Sequence, residues 1–493
     1  MHTTKFSILL RRLKYIYRLI IKTPRFGWII SLQVLSSFFT VLGMPLLIPV
    51  LEYTRTDVTR DENVAHLDLF GKVFSTLGFD PSFLSLLIFA SLLIASGQLL
   101  VFVSTIVANF SQQRLSMEYR KRVFRSYSTV DWLWITMDKS GEMNHAILRE
   151  ADGAGVAHLN AQRIVIYTVQ VAVFLIIAVK LSLIASMLAF VLYGILFFIN
   201  AWNSRHVRNL SGKFNETFKK IANATVNLLQ NKKFFKSSML LDAFLTKVFQ
   251  YVDETVRVKK LTILREELQN LWTYLATFTF IIFLMGLRNM LGLGFSELLV
   301  ILLVFMRLGP HFNSLFKAYL DLNIQVPVHQ SIERRLHDLE ENEEVMGTEV
   351  FHYDKPIRFS DVSFKYLKGK QVINEISLEI KPFQSVAFVG SSGAGKSTIL
   401  DLILGLLKPD SGKIYYGEIP HDRFDASLFR KKIAYVSQET TLLDGTLLEN
   451  LTIGCKEVNE EVIKDVCKRV HIDRLTSTLP DDIHTEIGEN GIK

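Results

Sequence analysis

The sequence has 493 residues, 49% of them hydrophobic, and its mean hydropathy is +0.25. A chain of this length is too long for one domain, and this composition excludes a disordered or fibrous protein and disfavours a wholly soluble one. The formal net charge is +8, and the two cysteines, Cys455 and Cys467, are not spaced as metal ligands. We therefore expect buried or inert thiols in a reducing compartment.

The N-terminal segment is basic and amphipathic. Residues 1–26 carry seven Lys or Arg residues and no Asp or Glu. Apolar and basic positions alternate over residues 6–21, which predicts a helix that lies along the inner leaflet of a membrane. A basic arm for nucleic acid is the weaker alternative, because Ile, Leu and Tyr fill the other face. We therefore expect membrane lipids, and no nucleic acid, as partners of this segment.

Apolar stretches long enough to cross a membrane follow. A hydrocarbon core needs roughly 20 apolar residues, and stretches that reach or approach this length cover about 28–51, 83–107, 164–179, 181–199, 271–287 and 298–316. The connections 108–163 and 200–270 have helical periodicity and few Gly or Pro residues. The pattern predicts six membrane helices, with four of them extended far beyond the membrane and turning near 132–141 and 230–238.

The distribution of Lys and Arg predicts the orientation of these helices. Both residue types are concentrated in residues 1–26 and in the two long connections, whereas the loop after the first stretch is acidic. The positive-inside rule then places both termini and the long connections in the cytoplasm of a multi-pass protein of the cytoplasmic membrane. The turns at 132–141 and 230–238 are either solvated hairpins or surfaces that dock on an ATP-binding domain and transmit its motion.

Three polar residues stand inside the apolar stretches: Gln98, Gln170 and Arg307. Polar and charged side chains are costly at such positions. Arg307 also precedes Gly309 and Pro310, which can kink a helix. One interpretation is a polar cavity in which Arg307 meets an anionic head group, such as a lipid-linked phosphate. The alternative is an arginine that extends to the inner interface or pairs with a neighbour.

A charged segment over 333–354, with an acidic run at 338–344, predicts a helix end and a linker. Apolar and polar residues then alternate over 357–364 and 372–380, and a short apolar run covers 385–389. These patterns predict three strands, the last of them buried.

A glycine-rich loop after the third predicted strand is the strongest motif in the chain. It opens an apolar helix predicted at 398–407, and this context is that of a phosphate-binding loop. Backbone N–H groups and the helix N-terminus would hold phosphate oxygens, Lys396 would reach the β- and γ-phosphates, and the Ser397 hydroxyl would hold Mg²⁺. The predicted loop consists of Gly390, Ser391, Ser392, Gly393, Ala394, Gly395, Lys396, Ser397 and Thr398.

Several further motifs make the whole chain resemble the ABC transporter family. Six predicted membrane helices followed by this nucleotide domain are similar to an exporter-type half-transporter. In residues 362–366, Tyr366 matches the aromatic that stacks on adenine, and in residues 434–438, Gln438 matches the Gln that binds Mg²⁺. Residues 409–414 resemble the family's turn into the next strand, and residues 443–450 resemble the segment that follows the Mg²⁺-binding Gln. Residues 485–491 resemble the loop that touches the cytoplasmic turns of the partner subunit.

The resemblance implies a fold and a reaction. The fold is a multi-domain one, with a six-helix α transmembrane exporter domain and an incomplete α/β P-loop nucleotide-binding domain. We expect the interfacial helix at 1–26, the transmembrane domain at 27–325, the linker at 326–356 and the ATP-binding domain at 357–493. The implied cofactors are ATP and Mg²⁺, and the implied partner is a second half-transporter subunit, as in a homodimer.

Some family motifs have no candidate in this sequence. The chain ends at Lys493, before the position of the Leu-Ser-Gly-Gly-Gln signature, and it has no second Mg²⁺-binding Asp, catalytic Glu or switch His in the expected context. Electrostatic positioning and general-base action would be lost without them. We therefore expect these 493 residues to bind ATP weakly and not to hydrolyse it, with no catalytic residue of their own.

The transported substrate is less well defined by the sequence. The first apolar stretch, with Gly43, Pro45 and Pro49, is loosely similar to the opening helix of flippases for lipid-linked sugars. Export of a peptide or drug is the main alternative within transporters. A membrane-anchored ATP sensor without transport is a different class of function, which the long helical connections disfavour.

Overall fold

A computed structural model describes residues 14–43, 46, 83–137, 140–291, 295–366, 371–437, 442–455, 457 and 459–488. The chain divides into two compact units, Met1–Glu344 and Val345–Lys493. The first is helical, and the second combines a small sheet with short helices. Each unit is described by itself below.

The first unit is dominated by helices of 31 to 48 residues. In the described part of the chain, its elements are α1 (Phe26–Gly43), α2 (Phe83–Thr129), α3 (Trp132–Met137), α4 (Ser140–His145), a π-helical turn (Ala146–Glu150), α5 (Ala151–Leu181), α6 (Leu183–Gln230), α7 (Lys232–Ser237), α8 (Leu241–Gly286), α9 (Arg288–Leu291) and α10 (Phe295–Glu341). The long helices are interrupted at 130–131, just before the turn predicted at 132–141, and over 231–240, which contains α7 and overlaps the turn predicted at 230–238.

Among the residues that the structure describes, five helices of this unit are long and apolar enough to cross a membrane. They are Leu84–Thr129, Glu142–Leu181, Leu183–Asn203, Leu241–Gly286 and Leu298–Glu341, and Phe26–Thr40 is apolar but shorter. The first predicted stretch falls on this shorter helix and on residues mostly outside the described part. The count of six membrane helices therefore stays a prediction.

The near absence of a loop between the third and fourth predicted stretches is confirmed. Ser182 is the one residue between α5 and α6, and its backbone is extended, with φ −158° and ψ 114°. Its hydroxyl accepts a hydrogen bond from the backbone N–H of Ala185 at 3.3 Å. This side-chain cap satisfies an N–H group that the start of a helix leaves unpaired.

Two buried clusters hold the long helices together. One lies among α5, α6, α8 and α10 and contains Phe174, Tyr193, Leu284 and Phe305. The other, towards the far ends of α2 and α10, packs Val123 against residues that include Ile332 and Leu336. Because α10 ends at Glu341, the beginning of the segment predicted as a linker (326–356) is helical.

Residues 14–21, the described part of the predicted interfacial helix, are helical. Leu19 is buried against Ala157, Ala161 and Leu322. The hydroxyl of Tyr15 lies 2.7 Å from Nδ1 of His329. These contacts join the segment to α5 and α10, whereas residues 1–13 lie outside the described part and the interfacial location stays a prediction.

The second unit contains a four-stranded antiparallel sheet in the order β2-β1-β3-β4. Its described elements are β1 (Ile357–Lys365), β2 (Gln371–Ile380), α11 (Lys396–Ile403), β3 (Ser411–Tyr416), β4 (Ile419–Pro420), α12 (Ala426–Arg430), α13 (Leu447–Thr452), α14 (Glu460–Arg469), α15 (Asp473–Thr476) and a 3₁₀ turn (Asp482–His484). The strands predicted at 357–364 and 372–380 are confirmed. Of the two cysteines, Cys467 is buried and Cys455 is exposed. The expectation of buried or inert thiols is thus confirmed by burial for Cys467, and an inert Cys455 stays a prediction.

The strand predicted at 385–389 is wrong, because those residues form no strand. Val386 is 44% exposed and Val389 is 94% exposed, which also contradicts the predicted burial. The segment before Gln438 shows the same behaviour, since residues 433–437 form no strand and Val436 is 92% exposed. Strands of a parallel sheet are stable when neighbours pair with them and cover both faces. No described segment pairs with either of these two.

Candidate functional site

The glycine-rich loop is a tight turn that leads directly into α11. Gly393 and Gly395 have φ angles of +80° and +87°, a left-handed backbone that residues with a Cβ adopt at a cost. The N–H group of Ala394 donates to the carbonyl oxygen of Ser391 at 3.2 Å. The turn thereby folds residues 390–396 into a compact loop.

The helix that follows the loop begins without a side-chain cap. Gly395 occupies the cap position and has no side chain to accept a hydrogen bond, and no acidic residue lies in the first turn of α11. The first N–H groups of a helix carry partial positive charge and need an acceptor. This end of α11 therefore fits an anion better than it fits a neighbouring side chain.

Lys396 adds a full positive charge to the same place. Its Nζ donates to the carbonyl oxygens of Gly390 and Ser391 at 3.0 and 2.8 Å. The ammonium group is thus folded over the mouth of the loop, where phosphate oxygens could replace the two carbonyls as acceptors. Ser391, Ser392 and Ser397 are exposed beside it.

The two hydroxyl residues at the start of α11 differ in accessibility. Ser397 is exposed, as a residue that holds Mg²⁺ would have to be. Thr398 is buried, and its hydroxyl oxygen lies 3.4 Å from that of Tyr366. The fold thus joins Tyr366 to the loop helix, although the two lie far apart in the sequence.

Tyr366 is also held from its other side. Its ring packs edge-on against Phe364, with centroids 5.0 Å apart and an interplanar angle of 86°. The side chain remains 37% exposed, so a part of the ring is free to stack. Its predicted adenine contact stays a prediction, and so does the role of Gln438, which lies outside the described residues.

The far end of α11 is anchored in an aromatic cluster. Tyr416 is 1% exposed, and its hydroxyl donates to the carbonyl oxygens of Leu402 and Ile403 at 3.1 and 2.9 Å. Its ring stacks on Phe424 at a centroid distance of 3.7 Å. Burial raises the pKa of Tyr416 above its ordinary value. The phenol therefore stays protonated and continues to donate to the end of the helix that begins at the phosphate loop.

A second candidate site lies within the helical unit. A cavity of about 310 Å³ opens among α1, α2, α5 and α10. It brings together Gln98, Gln170 and Arg307, the three polar residues that the sequence singled out. Sequence reasoning missed Gln33, Arg163 and His311, which also line the cavity. Gln33 could have been found, because it too is an amide inside an apolar stretch.

Hydrogen bonds between side chains organise one wall of this cavity. Gln170 donates from Nε2 to Oε1 of Gln33 at 2.9 Å, and Gln33 donates from Nε2 to the hydroxyl of Ser104 at 2.9 Å. All three side chains are buried. Oε1 of Gln170 is buried and has no hydrogen-bond partner among the described residues. The wall therefore holds one polar acceptor without a donor.

The second unit matches a known family. Residues 373–488 match the model of the ABC transporter family, and this range contains the phosphate loop and α11. The residues of the loop, with its uncapped helix and folded lysine, agree with the ATP-binding role that this family implies.

Known relatives are similar over part of the chain. A multidrug resistance ABC transporter ATP-binding and permease protein of Lactococcus lactis is 34% identical over 158 residues, which are 31% of this chain and 27% of that protein. A fatty acid ABC transporter protein of Mycobacterium bovis is 34% identical over 135 residues, which are 27% of this chain and 21% of the relative. The mitochondrial iron-sulfur clusters transporter of Candida albicans is 38% identical over 136 residues, or 28% and 18% of the two chains.

In each of these three comparisons, less than a third of the relative's own length is covered. The similarity therefore supports an ATP-binding domain, and what these proteins transport is said of them alone. Residues 373–488 therefore form an ABC transporter ATP-binding domain, similar to that of ABC exporters, and the described part of the same chain has five helices long and apolar enough to cross a membrane.

Proposed function

We propose that this chain is one subunit of a dimeric transporter that exports or flips a substrate across the cytoplasmic membrane at the expense of ATP. One observation carries the proposal. The same chain holds a phosphate loop that leads into an uncapped helix and a helical unit with five candidate membrane spans. In the proposed topology, both termini and the ATP-binding domain are cytoplasmic.

The proposed nucleotide is ATP with Mg²⁺. The N–H groups of the loop and of the first turn of α11 bind phosphate oxygens, and the Lys396 ammonium leaves the carbonyls of Gly390 and Ser391 to meet the β- and γ-phosphates. The exposed Ser397 hydroxyl and Gln438 hold Mg²⁺, which supplies charge neutralisation at the phosphates. Tyr366 stacks on the base.

Hydrolysis needs groups that these 493 residues do not contain. The sequence has no Leu-Ser-Gly-Gly-Gln motif, whose N–H donors would act on the γ-phosphate of a partner's nucleotide. In our proposal, this chain binds MgATP, and turnover requires that motif and a water-activating glutamate from another segment or subunit. Their combined effect on the barrier amounts to several kcal/mol.

The long helices favour a transporter over a membrane-anchored sensor. α2, α6, α8 and α10 run for 46 to 48 residues, at least twice the roughly 20 that cross a hydrocarbon core. Helices of this length provide continuous levers from the membrane to the breaks at 130–131 and 231–240. A sensor needs an anchor alone, so these extensions support a role in transmitting motion.

The test is ATP-dependent transport in proteoliposomes that contain the protein together with its native partner. Flipping of a fluorescent lipid and export of a fluorescent peptide are measured side by side, with Lys396→Ala as the control. ATP-dependent movement of either probe, abolished in the control, supports transport and distinguishes flippase from peptide exporter. If ATP binds but moves no probe, and a cysteine introduced at 132–137 has the same accessibility with and without ATP, the sensor is the better description.

A further inference from the structure

We infer that the cavity among α1, α2, α5 and α10 binds a phosphate ester of a polyol, and this inference rests on the proposed transport function because it names the substrate class. The ligand is either a soluble sugar phosphate or the head group of a lipid. The two share an anionic phosphate and neighbouring hydroxyl donors.

The charge of the cavity favours an anion. Among the described residues, its lining includes two arginines, Arg163 and Arg307, together with His311, and no Asp or Glu. Within the described part of the chain, neither guanidinium has an ion-pair partner. Arg163 does lie in electrostatic range of Asp321, which leaves Arg307 as the cation without a counter-ion. An uncompensated guanidinium next to a membrane is costly, and a bound phosphate would compensate it.

The position of Arg307 on α10 places further polar groups beside it. His311 and Ser314 follow at spacings of four and seven residues, so they share one face of the helix with Arg307, and all three line the cavity. The His311 ring stacks on Phe174, with centroids 5.2 Å apart and an interplanar angle of 19°. This wall of the cavity therefore presents donors at fixed positions.

The opposite wall requires a donor from the ligand. Gln170 donates one amide N–H to Gln33, and Gln33 donates one amide N–H to Ser104. Oε1 of Gln170 remains buried without a partner, and Gln170 is itself 5% exposed. An unsatisfied buried acceptor costs free energy, and a ligand hydroxyl would satisfy it. Inorganic anions without spare hydroxyl groups satisfy the arginines alone.

The size of the cavity fits a head group better than a whole lipid. A volume of about 310 Å³ lies at the lower end of the roughly 300–1,000 Å³ of small-molecule sites. It accommodates a hexose phosphate or an inositol phosphate. In the proposed topology, most of the lining residues lie at the middle of the spans or nearer the cytoplasm, so the ligand would enter from the cytoplasm or the inner leaflet.

The test is equilibrium binding to the full chain in nanodiscs, without nucleotide. In the first arm, radiolabelled glucose 6-phosphate is added to phosphatidylcholine nanodiscs, with glucose as the competitor that lacks a phosphate. In the second arm, a fluorescently labelled inositol phospholipid is bound to the protein. Its fluorescence is followed while phosphatidylinositol replaces phosphatidylcholine in the nanodiscs. Saturable binding in the first arm identifies a soluble ligand, and saturable binding in the second arm alone identifies a lipid head group.

Two variants separate the contributions of charge and of the acceptor. Arg307→Gln should weaken binding by roughly ten- to hundredfold, because it removes a charge-assisted, bidentate contact. Gln170→Met should weaken binding of the polyol phosphate and leave binding of inorganic sulfate, which has no hydroxyl donor, nearly unchanged. The matched control is Arg334→Gln, since Arg334 is an exposed arginine of the same helix that does not line the cavity.

Each outcome decides the inference. If Arg307→Gln does not fold, Arg307→Lys keeps the charge, loses the planar fork and should bind several-fold more weakly than the original chain. No saturable binding in either arm, or unchanged affinity in a folded Arg307 variant, would overturn it. Because the assay contains no ATP, this failure is distinct from a failure of ATP-dependent transport.

Discussion

Replacing Gly395 by Ala should damage the phosphate loop more than the same change at Gly393. Both glycines have left-handed backbones, with φ angles of +87° and +80°. They differ in surroundings. A Cβ on Gly395 would lie 2.8 Å from Cδ1 of Ile373 and 3.2 Å from the carbonyl oxygen of Val372, whereas a Cβ on Gly393 would have no atom within 4 Å. The pair therefore separates backbone strain from steric overlap.

The magnitudes follow from these two terms. A left-handed backbone costs a residue with a Cβ roughly 1–2 kcal/mol, and this cost applies to both variants. Overpacking against β2 adds about 1–3 kcal/mol at Gly395. The Ile373 methyl group can move away from the new Cβ, whereas the backbone carbonyl of Val372 moves less easily. We expect a total loss of about 1–2 kcal/mol for Gly393→Ala and of about 2–5 kcal/mol for Gly395→Ala.

Two measurements on the full chain in nanodiscs together give the total free-energy loss of each variant. Hydrogen exchange of the α11 amides without nucleotide reports the free energy of local opening. The dissociation constant of MgATP reports any further cost of restoring the loop for the ligand, at about 1.4 kcal/mol per tenfold change. The sum of the two losses should be larger for Gly395→Ala by about 1–3 kcal/mol. Equal sums, or a larger loss at Gly393, would refute the steric argument.

Three further results are expected. Tyr416→Phe removes the hydroxyl that holds the end of α11 and should lower the free energy of α11 opening by about 1–2 kcal/mol. The control is Tyr415→Phe at a half-buried position, which should change this free energy by less than about 0.5 kcal/mol. The Leu428 N–H and then the Ser427 hydroxyl lower the pKa of Asp425, so its capping contribution is present above the unfolded pKa and is lost as the pH falls through the lower folded one. Acid titration of α12 opening should show this loss, Asp425→Asn should abolish the slope, and an unchanged slope would contradict the assignment. The 493-residue chain in lipid should release no phosphate from MgATP above a Lys396→Ala control, and turnover above that control would disprove the prediction.

Local sequence patterns predicted much of the fold. Alternation of apolar and polar residues was sufficient for β1 and β2, because each has one face that packs on the unit's interior. The break between α5 and α6 could be predicted because charged and polar residues interrupt two apolar stretches there, and Ser182 provides the cap. The loop and its helix could be predicted because the glycines and Lys396 act through local backbone geometry.

Features that depend on distant partners could not be predicted in this way. The apolar run at 385–389 has strand-like composition, but a parallel strand forms only when neighbours from elsewhere in the chain pair with it. The link between Tyr366 and Thr398 and the hydrogen bonds from Tyr416 to α11 join residues whose proximity is set by the tertiary fold. Arg163 was missed because it stands just before an apolar stretch, where an arginine is common.

Binding of MgATP to the full chain in nanodiscs is the most direct test of the central claim that this chain holds ATP at its phosphate loop. We expect saturable, Mg²⁺-dependent binding that Lys396→Ala weakens by roughly ten- to hundredfold, since a charge-assisted contact to phosphate is lost. Lys432→Ala, which changes an exposed lysine of the same unit outside the loop, should leave the affinity unchanged. Equal affinity of the Lys396→Ala variant and the original chain would contradict the account.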